Sequence, residues 1–217
     1  MPLNESKGNM YEFVTHTWNV IKGACYHDCS YCYMKRWGKL NPVRFDQKEL
    51  KTDLGSGNFI FVGSSCDMFA NDISMEWIQE VLNHCSKFDN KYLFQSKQTF
   101  RLQKNNGLFF PKDSVFCTTI ETNRWYKDIM NNCEKTQSRA FYMPENNYVT
   151  IEPIMDFDLN DMLTLIKICN PKQVNIGADS GNNNLPEPSK EKLLALIDGL
   201  KKFTVIDKKN NLKRLLK

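Results

Sequence analysis

Six short runs of β-branched and aromatic residues alternate with helical patterns, and this alternation constrains the fold more than any other feature. The runs cover residues 13–20, 58–63, 91–96, 114–120, 147–154 and 173–177, and include FIFVG, YLFQS, VFCTTI, YVTIEPI and QVNIG. Such runs, largely apolar over a few residues, suit strands buried on both faces. Between them lie amphipathic stretches. In 75–87 the residues Trp77, Ile78, Val81, Leu82 and Cys85 share one stripe, and Asp72 or Ser74 is placed to cap it. Further helices are expected over 122–135, 159–168 and 189–203, with shorter ones over 47–54 and 98–104.

Strand then helix, six times in about 200 residues, predicts an α/β fold with a parallel sheet. A closed eight-unit barrel needs about 250 residues. Six units therefore predict a partial (β/α)6 barrel with parallel strands; a flat doubly wound sheet is the alternative that periodicity leaves open. In either case the site belongs at the C-terminal ends of the strands. The 217 residues read as a single domain with its core over 13–203, a short N-terminal extension and a basic C-terminal tail.

The formal charge is +4, and the last ten residues, KKNNLKRLLK, carry five positive charges and no negative ones. Without them the chain stands at −1, so the basic balance belongs to the tail. The tail reads as the solvated end of a last helix, and a nucleic-acid partner is permitted without being implied. No run approaches the 18 or so apolar residues of a membrane span, and the first residues lack a signal-peptide layout. The expectation is a cytoplasmic protein without membrane association.

Eight cysteines stand at 25, 29, 32, 66, 85, 117, 133 and 169. Cys85, Cys133 and Cys169 fall on helix stripes and read as core. Cys25, Cys29 and Cys32 form C-x3-C-x2-C directly after the first strand pattern, in a polar loop. Three thiols within eight residues point to a metal or cluster. On a four-iron cluster they leave one iron open to a small molecule. A zinc site completed by His27 or a more distant His is the alternative, although no second ligand pair is present.

With Tyr31 at the aromatic position before the third Cys, this motif resembles that of the radical S-adenosylmethionine (SAM) superfamily. The segments THTWNVIKGACYHDCSYCY, FIFVGSSCDMF, TTIET, YVTIEPI and NIGADSG further resemble a phage-associated radical SAM group akin to spore photoproduct lyase-like proteins, over about residues 14–181. The resemblance implies a [4Fe–4S] cluster held by Cys25, Cys29 and Cys32, with SAM on the open iron. It implies reductive cleavage of SAM to a 5′-deoxyadenosyl radical that abstracts hydrogen from an organic substrate. Tyr31 would contact the adenine. Gly63, Ser64, Ser65 and Asp67 stand where the family binds the methionine amino group, although only the first Gly of the family's Gly-Gly-Glu stretch is retained.

Thr119, Glu121 and Thr122 are expected near the ribose, with Glu152 and Asp179 ending the fifth and sixth strands on the same side. Lys97 and Arg124 are candidates for the SAM carboxylate. Cys66, beside the SAM loop, is the candidate catalytic hydrogen donor, with a small buried hydrophobe as its other reading; Cys117 and His16 read as structural, and Asn19 lies along the first strand. The implied partners are a one-electron reductant of flavodoxin or ferredoxin type and a small-molecule or nucleic-acid substrate. The phage and repair-enzyme likeness favours a nucleotide or base, as in DNA modification or repair. A partner protein or a second copy is expected over the open barrel side. The competing class is an iron–sulfur or zinc redox-sensing module without SAM chemistry.

Overall fold

The structure, a computed structural model, describes residues 3–103 and 106–217. Its strands are β1 (Asn4–Glu5), β2 (His16–Trp18), β3 (Ile21–Lys22), β4 (Arg44–Phe45), β5 (Phe59–Val62), β6 (Lys91–Gln95), β7 (Ser114–Thr119), β8 (Asn147–Ile151), β9 (Gln173–Ile176) and β10 (Val205–Lys208). The α-helices are α1 (Met75–Cys85), α2 (Lys127–Met130), α3 (Thr136–Phe141), α4 (Leu159–Cys169) and α5 (Lys190–Leu200). The main sheet runs β1-β2-β5-β6-β7-β8-β9-β10. All its pairings are parallel except β1 with β2. Strands β3 and β4 form a separate antiparallel pair.

The six runs each supply one parallel strand, and they neighbour one another in chain order. A doubly wound sheet would reverse that order partway. Here it never reverses, and the sheet ends at β1 and β10 without closing. The register explains why the helices share one face. Phe94 pairs with Phe116, Thr118 with Val149, and Val149 with Val174, so these side chains lie on one side. On that side Ile60, Val62, Phe94 and Phe116 cluster with Ile78, Val81 and Leu82 of α1. Val149, Ile151, Val174 and Ile176 cluster with Met162 and Ile166 of α4 and with Leu193, Leu196 and Ile197 of α5. Each such side chain is worth about 1.5–3 kcal/mol on burial. Ser74 caps α1 by accepting from Trp77 N, and Ser189 caps α5 by accepting from Lys192 N.

The other sheet face changes character along the strands. Its lower layer is apolar: Phe61, Leu93, Val115 and Cys117, covered by Tyr11 and Val14 of the N-terminal segment. Its upper layer is polar, with Gln95 donating to Thr119 Oγ1 at 3.2 Å and Tyr11 donating to Gln95 Oε1 at 2.8 Å. Polarity rises toward the strand ends, where the long loops leave.

Three expectations are corrected. The helix over 122–135 is broken into the four-residue α2 and a turn, because Asn131 adopts a left-handed backbone (φ +46°) and the segment bonds to the cysteine loop instead. The short helices over 47–54 and 98–104 are single 3-10 turns, Gln47–Lys51 and Thr99–Leu102; Lys104 lies outside the described residues. The basic tail is not the solvated end of a helix. It begins with β10, a seventh parallel strand beside β9, and continues into a 3-10 turn that buries Leu212. The sheet therefore has seven parallel strands where six were expected. Lys209 reaches Glu152 at 2.6 Å, and Arg214 pairs with Glu187. A cavity of about 500 Å³ opens between residues 6–14 and 207–211 at this seam, with no wall from the cysteine loop.

Candidate active site

The cysteine loop leaves the first parallel strand by way of β3 and is fastened on two sides. Against the loop after β5, Tyr33 donates to Ser64 O at 2.9 Å, and His27 Nε2 meets Asp67 Oδ2 at 2.7 Å. Against α2 and the turn after it, Ser30 N donates to Ile129 O at 2.9 Å and Asn132 N to His27 O at 3.2 Å. The amide side chains of Asn131 and Asn132 donate to Asp28 O at 2.6 Å and Tyr26 O at 3.0 Å. These bonds replace the helical ones that the apolar stripe of 122–135 implied.

Loop 63–67 is equally determined. Gly63 has φ +78°, and a Cβ there would meet Cys66 O at 3.2 Å, so glycine is required. Asn19 Oδ1 accepts from Ser65 N (2.9 Å) and Ser65 Oγ (3.0 Å), and its amide group lies 3.2 Å from Ser64 Oγ. Asp67 accepts from His27, from Ser96 Oγ at 2.9 Å, from Lys97 N at 2.8 Å and from Phe69 N at 3.0 Å. Burial works against its charge, but His27 and these N–H groups hold its carboxyl below the usual range, and Asp67 in turn raises His27. With its lone pairs so engaged, Asp67 ties the cysteine loop to the end of β6.

Beside the loop stands a charged cluster. Lys97 Nζ lies 3.3 Å from Cys29 Sγ, 2.9 Å from Tyr31 Oη and 3.5 Å from Glu121 Oε1. Glu121 is fully buried; Tyr31 donates to its Oε1, and Arg139 Nη1 donates to its Oε2 at 2.7 Å. Burial opposes ionisation of Glu121, yet the Arg139 and Lys97 charges hold its carboxyl below the ordinary range. Burial would lower Lys97, but Cys29 and Glu121 outweigh it and raise the ammonium well above its usual value. Burial, then Glu121, pushes the Tyr31 phenol up, so the phenol stays protonated. Cys29 Sγ also lies 3.3 Å from Cys133 Sγ, and Cys25 is lowered to about 7 chiefly by its hydrogen bond with Cys66. Burial raises Cys32.

The structure thus brings together Cys25, Cys29, Cys32, Tyr31, Cys66, Lys97 and Glu121, with loop 63–67 as one wall. Other expected residues are engaged elsewhere. Thr119 Oγ1 accepts from Gln95, and Thr122 Oγ1 donates to Asp156 O at 2.7 Å. Arg124 pairs with Asp156 and, at 2.7 Å, with Asp158. Glu152 accepts from Asn9 (2.7 Å), Asn211 (2.8 Å) and Lys209 (2.6 Å), across the open seam of the sheet. Its carboxyl occupies the space a Cβ at Gly177 would need. Asp179 organises its own loop, accepting from Gly181 N at 2.9 Å and Asn183 Nδ2 at 2.6 Å.

Arg139 and Cys133 escaped the sequence reading. For Arg139 the signal was indirect: a carboxylate ending an apolar strand needs a cation, and sequence spacing does not say which one. Cys133 was read as helix core, and the broken helix places it on Cys29 instead.

The donor set fits an iron–sulfur cluster. All eight cysteines are free, and one of the loop's three soft donors, Cys29, sits beside a lysine that offsets added negative charge. Among the described residues no three Cys, His, Asp or Glu donors converge on one point, as a mononuclear ion requires. Thiolates on separate corners of a polynuclear cluster need no such convergence. Among the described residues, no helix is long and apolar enough to cross a membrane.

This is a singly wound α/β protein with a thiol-rich loop at the first parallel strand end. It has the fold of spore photoproduct lyase. Two solved structures of that enzyme match with a TM-score of 0.59 and 10% identity, one a variant with bound AdoMet and dinucleoside spore photoproduct, the other complexed with dinucleoside spore photoproduct. Each match covers 90% of this chain and 64% of the enzyme's, so the chain spans less than two thirds of its structural neighbours. No family model matches the chain, and no curated protein does.

Proposed function

We propose that this chain is a radical SAM enzyme acting on a nucleotide or nucleic-acid base, with Cys25, Cys29 and Cys32 as ligands of a [4Fe–4S] cluster. The observation that carries the reading is the placement of these three free thiols in one loop at a parallel strand end, with Cys29 against a buried Lys97–Tyr31–Glu121–Arg139 chain. The neighbours' bound AdoMet and dinucleoside support the cofactor and the substrate class. When bound, the cluster supplies the electron that splits SAM to methionine and a 5′-deoxyadenosyl radical, which takes hydrogen from substrate.

The chain's own residues set the stage for that chemistry. Asp67 and His27 hold the cysteine loop against β6. Asn19 presents the hydroxyls and backbone of Ser64 and Ser65 on the rim, as polar partners for the methionine end of SAM. Lys97 sits between the cysteines and Glu121, where a cation balances both thiolates and the SAM carboxylate. Tyr31, kept protonated by burial and Glu121, presents its ring for the adenine. Thr119, Arg124, Glu152 and Asp179 also follow strand ends, and as contacts they would exchange the partners they hold in this structure. Cys66 is the proposed hydrogen donor. A one-electron protein reductant completes the system.

Anaerobic reconstitution with iron and sulfide tests this. The expected result is about four irons per chain and 5′-deoxyadenosine released after dithionite and SAM. Deuterium from a labelled nucleotide substrate enters that product. Alanine at Cys25, Cys29 or Cys32 abolishes both. Bound zinc without SAM cleavage would establish the sensing module instead.

A further inference from the structure

The sulfurs of Cys29 and Cys133 lie 3.3 Å apart, in a contact that the cluster reading does not use. Both side chains are buried, and they share a small cluster with Met130 and Met155. The pair joins two segments 104 residues apart, so it is a tertiary feature and not loop geometry. Its alignment is enforced from both sides. Ser30 N and Ile129 O lie one and four residues from the two cysteines, and Asn132 N bonds to His27 O. The broken helix after α2 therefore brings Cys133 to the loop and holds it there. Closing the pair to a disulfide requires about 2.05 Å between sulfurs, a contraction of roughly 1.2 Å that thiol side chains supply by small rotations.

We infer that Cys29 and Cys133 form a reversible disulfide in the cluster-free chain, which withdraws one cluster ligand until it is reduced. The consequence for the cluster rests on the function proposed above; the disulfide itself does not. The oxidant is a peroxide, small enough to reach buried sulfur. One thiolate attacks a peroxide oxygen, the O–O bond breaks, and a sulfenic acid and water result. The second thiol then attacks that sulfur, the S–O bond breaks and a second water leaves. Two protein thiols lose two protons and two electrons; one hydrogen peroxide takes them up and becomes two waters. Cys133 acts as the resolving thiol, so Cys29 is spared the irreversible sulfinic and sulfonic states. Cys85, Cys117 and Cys169 are buried as well. Among the described residues, none of them makes a sulfur–sulfur hydrogen bond.

The full-length, cluster-free protein is treated without oxygen with an equimolar amount of hydrogen peroxide, alkylated, digested and mapped by mass spectrometry. The expected product is a Cys29–Cys133 cross-linked peptide, with Cys25 and Cys32 alkylated. Iron and sulfide loading of this oxidised chain falls at least tenfold and returns after dithiothreitol. Cys133→Ser gives no cross-link at Cys29, which is recovered instead as a sulfenic or sulfinic acid, and before peroxide it loads iron as the unsubstituted chain does. Cross-links at Cys25–Cys66, Cys25–Cys32 or a mixture overturn the inference, as does an oxidised chain that loads iron like the reduced one. If Cys133→Ser does not fold, the map of the unsubstituted chain decides alone. A reduced chain that takes up no iron removes the proposed function, while the cross-link map still judges the thiol pair.

Discussion

Removing the Arg139 guanidinium leaves a buried carboxylate without its main partner, and the cost follows from the geometry. Arg139 and Glu121 are both fully buried and pair at 2.7 Å; Arg139 also donates to Thr119 O and Glu134 O, each at 2.7 Å. Breaking a buried pair from one side costs about 3–5 kcal/mol, because the surviving charge has lost water and partner alike. At about 1.4 kcal/mol per decade, Arg139→Met is expected to lower the folded-to-unfolded ratio by roughly two to three and a half orders of magnitude. The assay is urea unfolding followed by tryptophan fluorescence, in Arg139→Met, Glu121→Gln and the double variant. The double variant is expected to be more stable than Arg139→Met alone, since Glu121→Gln removes the stranded charge while keeping an acceptor for Tyr31. The pH dependence has a definite sign. In the wild type the Glu121 pKa is depressed, so its contribution is present above the unfolded value of about 4.3 and is lost as pH falls through the folded value. In Arg139→Met burial dominates and the folded pKa rises, so the deficit shrinks as pH is lowered from 7 toward 5. A deficit below about 1 kcal/mol, or one unchanged by Glu121→Gln, would refute the buried-pair reasoning.

Three other outcomes are expected. Glu121→Gln flattens the acid limb of wild-type stability below about pH 4, where the depressed Glu121 carboxyl takes up its proton; an unchanged limb in acid titration by circular dichroism shows that other carboxylates govern it. Gly177→Ala places a Cβ 2.7 Å from the Glu152 carboxyl, which three donors hold in place, so a loss of about 1–3 kcal/mol is expected together with faster amide exchange over residues 205–211. Exchange that stays slow there means the tail is not anchored through Glu152. Asn19→Ala frees Ser64 and Ser65 from their shared acceptor; calorimetry on the iron-loaded protein is expected to show weaker SAM binding at unchanged iron content, and equal affinity removes loop 63–67 from the SAM site.

The parallel strands were legible because a strand buried on both faces is a short unbroken run of apolar, β-branched and aromatic residues bounded by polar loops. Ile60 and Val62 face α1 while Phe61 faces Tyr11, so the whole FIFV run is apolar. The seventh strand was hidden for the opposite reason. Val205–Lys208 lies at the sheet edge, with an exposed valine and two charged residues, and an edge strand beside basic residues reads as tail. The tail's cations after it, Lys209 and Arg214, are held by Glu152 and Glu187, which are far away in sequence.

The site divides along the same line between local and nonlocal causes. The three cysteines lie within one loop, and their chemistry follows from spacing. Their surroundings depend on which strand ends become neighbours: Lys97 from just after β6, Glu121 from just after β7, Cys133 from the turn after α2, and Arg139 from α3. A helix stripe over 122–135 is a real pattern in the residues, yet Ser30 N donates to Ile129 O and His27 O accepts from Asn132 N, so backbone groups of that segment find partners in the cysteine loop. Local propensity yields where a tertiary partner satisfies the same backbone groups. A departure from local rule at this place also carries the chemistry, because only a broken helix brings Cys133 within reach of Cys29. A variant that restores the helix, Asn131→Ala, is therefore expected to separate the two sulfurs and abolish their cross-link on peroxide treatment. Survival of the cross-link would show that the thiol pair does not depend on the break.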